Sequence, residues 1–103
     1  MNYIRKVILE VEEVRGECPL YRVGDRIIIR VLPSTEIIDK ERSGDICLRA
    51  IENIPFFLIY ARAPDHVVEH LAGVTGETRL ACSMPGKPFT PCGYVIFKVM
   101  REA

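Results

Sequence analysis

The sequence predicts an α+β fold: a small antiparallel sheet of about four strands with helices on one face. Three observations carry this reading. Period-two apolar alternation occupies both ends of the chain. Apolar spacing of three and four occupies the middle. The strands within each end are joined by connections too short for parallel crossovers. The order along the chain reads β-β-α-α-β-β.

The first strand is seen in residues 6–14, where Val7, Leu9 and Val11 share a side and Lys6, Glu10 and Glu12 take the other. Gly16 and Pro19 interrupt it. Val23-Gly24-Asp25 leads into Arg26–Val31, with Ile27, Ile29 and Val31 inward and Arg26 and Arg30 outward. Ile28 falls on the polar side and needs cover of its own. Residues 33–45 read as a polar loop with a packed turn at Ile37 and Ile38, broken by Pro33, Ser34, Ser43 and Gly44.

Cys47, Ile51, Ile54, Leu58 and Ala61 then recur at helical spacing. Pro55 lacks an amide proton, so it divides the stretch 46–62 by a kink or a second helix start. Pro64 followed by Asp65–Ala72 and Gly73 reads as a short capped helix. Thr78, Leu80 and Cys82 alternate in a third strand, and a Pro- and Gly-rich loop follows. Tyr94–Met100 is apolar on both faces, which places it centrally in the sheet or under a partner chain.

A chain of 103 residues suits one domain, residues 1–103, with one core and no need of disulfides or metal. Hydrophobic content of 49% with 27% charged residues excludes disorder and collagen-like repeats. Fourteen basic residues balance fourteen acidic ones, so nothing in the overall charge points to nucleic acid or an anionic membrane. No stretch approaches the roughly 20 apolar residues of a membrane span, and the first ten residues hold no signal-peptide core. A cytoplasmic setting is expected, with the four cysteines reduced. The absence of Gln, with Asn only at 2 and 53, fits a thermophile; four Cys and three Met weigh the other way.

Four groups of residues are candidates for chemistry. Cys18, Cys47 and Cys82 stand at element ends and converge if those ends meet at one rim of the sheet. Cys47 would occupy the first turn of the long helix, where the macrodipole favours thiolate over thiol. Reactive thiol, zinc ligand and plain packing are all open for these three, since Cys is also a small buried hydrophobe and no Cys-x-x-Cys pair is present. His66 and His70 are one helical turn apart and form a weaker metal pair, with a solvated amphipathic face as the simpler explanation. Arg26 and Arg30 share a strand face; they either hold an anion or pair with Glu10 and Glu12 across the hairpin, and neutral net charge favours pairing. Ser34, Ser43 and Ser83 have no His neighbour suggestive of a hydrolase, and Gly24-Asp25 is turn chemistry, not a phosphate loop.

Gly16-Glu17-Cys18-Pro19, Gly24-Asp25 before a strand, Cys47 heading a Pro-containing apolar stretch, Cys82-Ser83-Met84-Pro85 and the closing Val95-Ile96-Phe97 resemble a family of small uncharacterised archaeal and bacterial proteins. The likeness covers about residues 6–100. It implies an intracellular single-domain protein with Cys18, Cys47 and Cys82 at the family's cysteine positions. It implies no activity. The 33–45 loop, the 64–73 segment and Cys92 depart from that pattern, so His66 and His70 gain nothing from it.

The expected function is a non-catalytic binding or assembly module with no cofactor. The alternative is a thiol- or metal-dependent activity at Cys18, Cys47 and Cys82. For the apolar outer face of the last strand, with Ile28, two covers are expected to compete: the chain's own 33–45 loop and 64–72 helix, or a second copy in a homodimer.

Overall fold

The computed structural model describes residues 4–52, 54–71, 77–82 and 93–102. Among the described residues, five strands form one antiparallel sheet in the order β3-β2-β1-β5-β4. They are β1 (Lys6–Arg15), β2 (Arg26–Val31), β3 (Glu36–Ile38), β4 (Thr78–Ala81) and β5 (Tyr94–Glu102). Between β3 and β4 the described residues form three helices: α1 (Lys40–Ser43), α2 (Ile54–Arg62) and α3 (Asp65–Leu71).

The α+β class and the central position of the closing strand hold. The count of about four strands and the β-β-α-α-β-β order do not. A fifth strand and an extra helical turn both come from the stretch read as a polar loop. Three residues at β3 and four at α1 are too few to show a period. The β3 edge is completed by side-chain chemistry. The Ser43 hydroxyl accepts the Ile28 amide at 2.9 Å, while the Asp39 amide donates to the Ile28 carbonyl at 2.8 Å. Ser43 is buried there and continues the ladder where β3 has ended. Asp39 caps α1 by accepting the Arg42 amide.

One face of the sheet carries the core. Val7, Leu9 and Val11 of β1 pack with Ile27 and Ile29 of β2 and Val95, Phe97 and Val99 of β5. Phe57, Tyr60 and Ala61 of α2 close over them, and Val68 of α3 joins at the margin. A bulge at Glu12, between the pairs Val11–Phe97 and Glu13–Ile96, shifts the phase of β1 by one. Val14 thereby returns to the core side beside Val95 despite its even number.

The long helix expected from Cys47 begins only at Ile54. Residues 48–52 are turns, with the Ala50 amide bonded to the Cys47 carbonyl. Pro55 therefore opens a helix where its missing N–H costs nothing, and does not kink one. Pro64 stands one residue before α3 and receives the amides of Val67 and Val68 on its carbonyl. The expected stop at Gly73 and the Pro-rich loop after Ser83 lie outside the described residues.

Arg101 ties the helices to the sheet. It extends from β5 on the core side with its side chain 8% exposed. Its guanidinium donates to the carbonyls of Ala63 at 2.6 Å and Tyr60 at 3.3 Å, and pairs with Asp65. A cation is favourable at the carbonyl end of a helix and a carboxylate at the start of the next.

Candidate functional site

The three candidate cysteines sit toward the end of the sheet where β1 runs out and β2 begins. Each is half-buried against the core. Cys18 accepts the Tyr21 amide on its sulfur at 3.3 Å, and Cys82 accepts the Val95 amide at 3.2 Å. Cys47 is held by its backbone: its amide donates to the Tyr21 hydroxyl at 2.9 Å. Since α2 starts at Ile54, the macrodipole expected to act on the Cys47 thiol is not beside it. Burial pushes the Tyr21 hydroxyl above its ordinary pKa, against the opposing hydrogen bond from Cys47. Tyr21 also sets its ring edge-on against Phe97 at 5.5 Å between centroids. The three thiols thus line the margin of one core, with Cys18 and Cys47 joined through Tyr21. Among the described residues no group of three or more His, Cys, Asp or Glu is placed to hold a metal. Cys92 lies outside those residues.

Two glycines lock this end. Gly16 takes φ +82°, and Gly93 crosses it so closely that a Cβ on Gly93 would fall 1.8 Å from the Arg15 carbonyl oxygen. The Gly93 amide donates to the Glu17 carbonyl at 2.8 Å. Only glycine lets two backbones approach in this way.

His66 and His70 of α3 are both exposed, with Val67 and Val68 turned toward the protein. No described group joins them as a third ligand.

The opposite end of the sheet is electrostatically different. A trough of about 1250 Å³ runs over the start of β1, the end of β2 and the edge formed by β3 and α1. Its basic lining is Arg5, Lys6, Arg30, Lys40, Arg42 and Arg62; its acidic lining is Asp39 and Glu41. Arg62 is spoken for by Glu36 at 2.7 Å and the Leu32 carbonyl at 2.7 Å. Arg42 lies 3.9 Å from Asp39. Arg5, Lys6, Arg30 and Lys40 have no ion pair with any described residue.

The expected hairpin ion pairs form only in part. Arg26 meets Glu10 at 2.9 Å. The same register sets Arg30 directly opposite Lys6. Glu12 is in the bulge and is taken bidentately by Arg79 of β4, at 2.5 and 2.9 Å. That contact holds the Glu12 carboxyl below its ordinary pKa and raises that of Arg79. Arg79 and Lys98 share Glu77 as well.

This trough was not among the sites singled out by sequence, but a signal for it was present. If Glu10 pairs with Arg26, an antiparallel register puts Lys6 against Arg30 and leaves Glu12 no arginine in the hairpin. Treating Arg26 and Arg30 as one unit hid that difference.

Among the described residues, no helix is long and apolar enough to cross a membrane. No family model, no curated protein and no solved structure matches this chain.

Proposed function

We propose that the chain is a non-catalytic binding module whose ligand sits in the trough at the β1 start and β2 end. One observation supports this above the others: four cations line a concavity, outnumber its two carboxylates and form no ion pair with any described residue. Ligand sites are concave, largely pre-formed and carry a few convergent polar groups. The likeness to the small Gly-x-Cys-Pro family, and a cytoplasmic setting in which the thiols stay reduced, belong to the same reading. The test is a screen of small neutral and charged fragments followed by backbone amide shifts. Responses gathered at Lys6, Arg30, Leu32 and Lys40 support the module; a trough silent to every fragment contradicts it.

The thiol- or metal-dependent alternative rests on Cys18, which lines a second, smaller concavity beside Arg22 and takes an amide hydrogen bond on its sulfur. Elemental analysis with thiol titration separates the two readings. Less than about 0.1 metal per chain and slow labelling at neutral pH favour the binding module.

Assembly into a homodimer is the second part of the proposal. Ile8 and Ile28 on the open sheet face are already buried within the chain. A run of exposed apolar residues lies on and before α2: Ile59 is 62% and Leu48 79% exposed, with Ile54 and Leu58 exposed between them in sequence. A helix apolar on all sides is one that is covered on all sides. A second copy laying α2 against α2 by a two-fold axis supplies that cover from the same residues. Light scattering should give twice the chain mass, and Ile59→Lys a soluble monomer; a concentration-independent monomer of the parent chain refutes the dimer.

A further inference from the structure

We infer that the trough takes a small, multiply charged anion of the phosphate class, carrying two or more phosphate groups; this rests on the binding reading above and names its ligand. Lys6 and Arg30 oppose one another across β1 and β2. The Val31 amide donates to the Arg5 carbonyl at 2.8 Å, which marks Lys6–Arg30 as a non-hydrogen-bonded pair, the kind whose side chains stand closer. Like charges in that position repel. Glu102 stands opposite Lys6 on the other side and makes no ion pair with it. Arg5 precedes Lys6 at the strand start, and Lys40 opens α1 on the facing wall.

The chain is neutral as a whole, yet six of its fourteen basic residues and only two of its fourteen acidic residues line this one trough. Elsewhere on the sheet the cations are matched: Arg26 by Glu10, Arg79 by Glu12 and Glu77, and Lys98 by Glu77. Four of the five basic residues without an ion pair among the described residues line this trough, the fifth being Arg22. Two unpartnered guanidinium groups offer planar forks for bidentate contact with phosphate oxygens, and two ammonium groups add point charges. A di- or triphosphate brings a comparable number of negative charges at neutral pH. Asp39 and Glu41 on the α1 side oppose ligands that spread beyond Lys40.

The probe is inorganic tripolyphosphate, titrated calorimetrically into the full chain at low salt. Binding is expected to weaken at least about tenfold in Lys6→Ala/Arg30→Ala, to fall as salt rises, and to survive Arg49→Ala, a basic residue outside the trough. Lys40→Ala, at an exposed position without a partner, repeats the test should the double variant not fold. Unchanged affinity in both variants means an adventitious ion only and overturns the inference. Equal affinity for citrate overturns the phosphate class, because charge alone is then being read. If neutral fragments shift trough amides while tripolyphosphate does not bind, the ligand assignment fails and the binding module stands. Silence toward both removes both. Adenosine triphosphate as a second arm distinguishes a nucleotide from a bare polyphosphate: tighter binding supports the former source.

Discussion

The two ends of β1 are built on opposite terms. At its C-terminal end, among the described residues, a set of internal hydrogen bonds joins the loops to the strands. The sulfurs of Cys18 and Cys82 accept amides, the Tyr21 hydroxyl accepts the Cys47 amide, and Gly93 bonds to Glu17 across Gly16. At its N-terminal end Lys6 faces Arg30, and Arg5 and Lys40 stand near without counter-ions among the described residues. Those bonds tie the first end together, as packing requires. The second is incomplete, which is what a site for something outside the chain requires. Residue type alone pointed to the first end, because cysteine is the chemically richer side chain. Partnership, not reactivity, separates them.

If that contrast is right, changes at the two ends have different consequences. The largest effect is expected from Gly93→Ala. The added methyl meets backbone and not a yielding side chain, so the cost should exceed about 3 kcal/mol, read as loss of the cooperative thermal transition. A melting temperature within a few degrees of the parent would show that the two strands part easily, and the glycine lock would be abandoned. Tyr21→Phe should cost about 1–2 kcal/mol in chemical denaturation, since the Cys47 amide loses its acceptor while the ring contact with Phe97 stays.

At the other end the sign reverses. Arg30→Glu replaces a like-charge pair with an opposite-charge one against Lys6, and should stabilise the fold by about 0.2–1 kcal/mol while weakening anion binding. Stabilisation with loss of binding is the signature of a charge kept for a ligand. Destabilisation would show that Arg30 has a structural partner and blur the distinction between the ends.

The smallest effect concerns Glu12. Its carboxyl titrates below the ordinary range because Arg79 holds it, first by hydrogen bonds and then by charge. A depressed folded-state pKa gives stability that is present above the unfolded-state value and is lost as pH falls through the folded one. Carbon-detected titration should find Glu12 below the ordinary glutamate value, and Arg79→Gln should restore it. The stability change will be slight, because the pair is solvated.

Much of the sheet was legible because the inward residues of β1 before its bulge, of β2 and of β5 fall two apart. The bulge was not, since Glu12 looks like any outward residue until β5 is set against it. The helix was half legible. Apolar spacing from Cys47 to Ala61 continues through the turns over residues 48–52 as well as through the helix, so spacing alone did not separate them. Pro55 marked the boundary correctly, and its favoured position at a helix start was the better of its two readings. The cysteines were found by type, yet their role depends on which amides reach them. The cation trough depends on register, and register is a property of two strands together.

Mapping backbone amide shifts as tripolyphosphate is added to the parent chain decides between the proposed site at the cation end and one at the cysteine end. The account predicts saturable shifts at Lys6, Arg30, Leu32 and the start of α1, with Cys18, Tyr21, Cys47 and Cys82 unmoved. Saturable shifts centred on Cys18–Val23, with the amides of Lys6 and Arg30 silent, would contradict it.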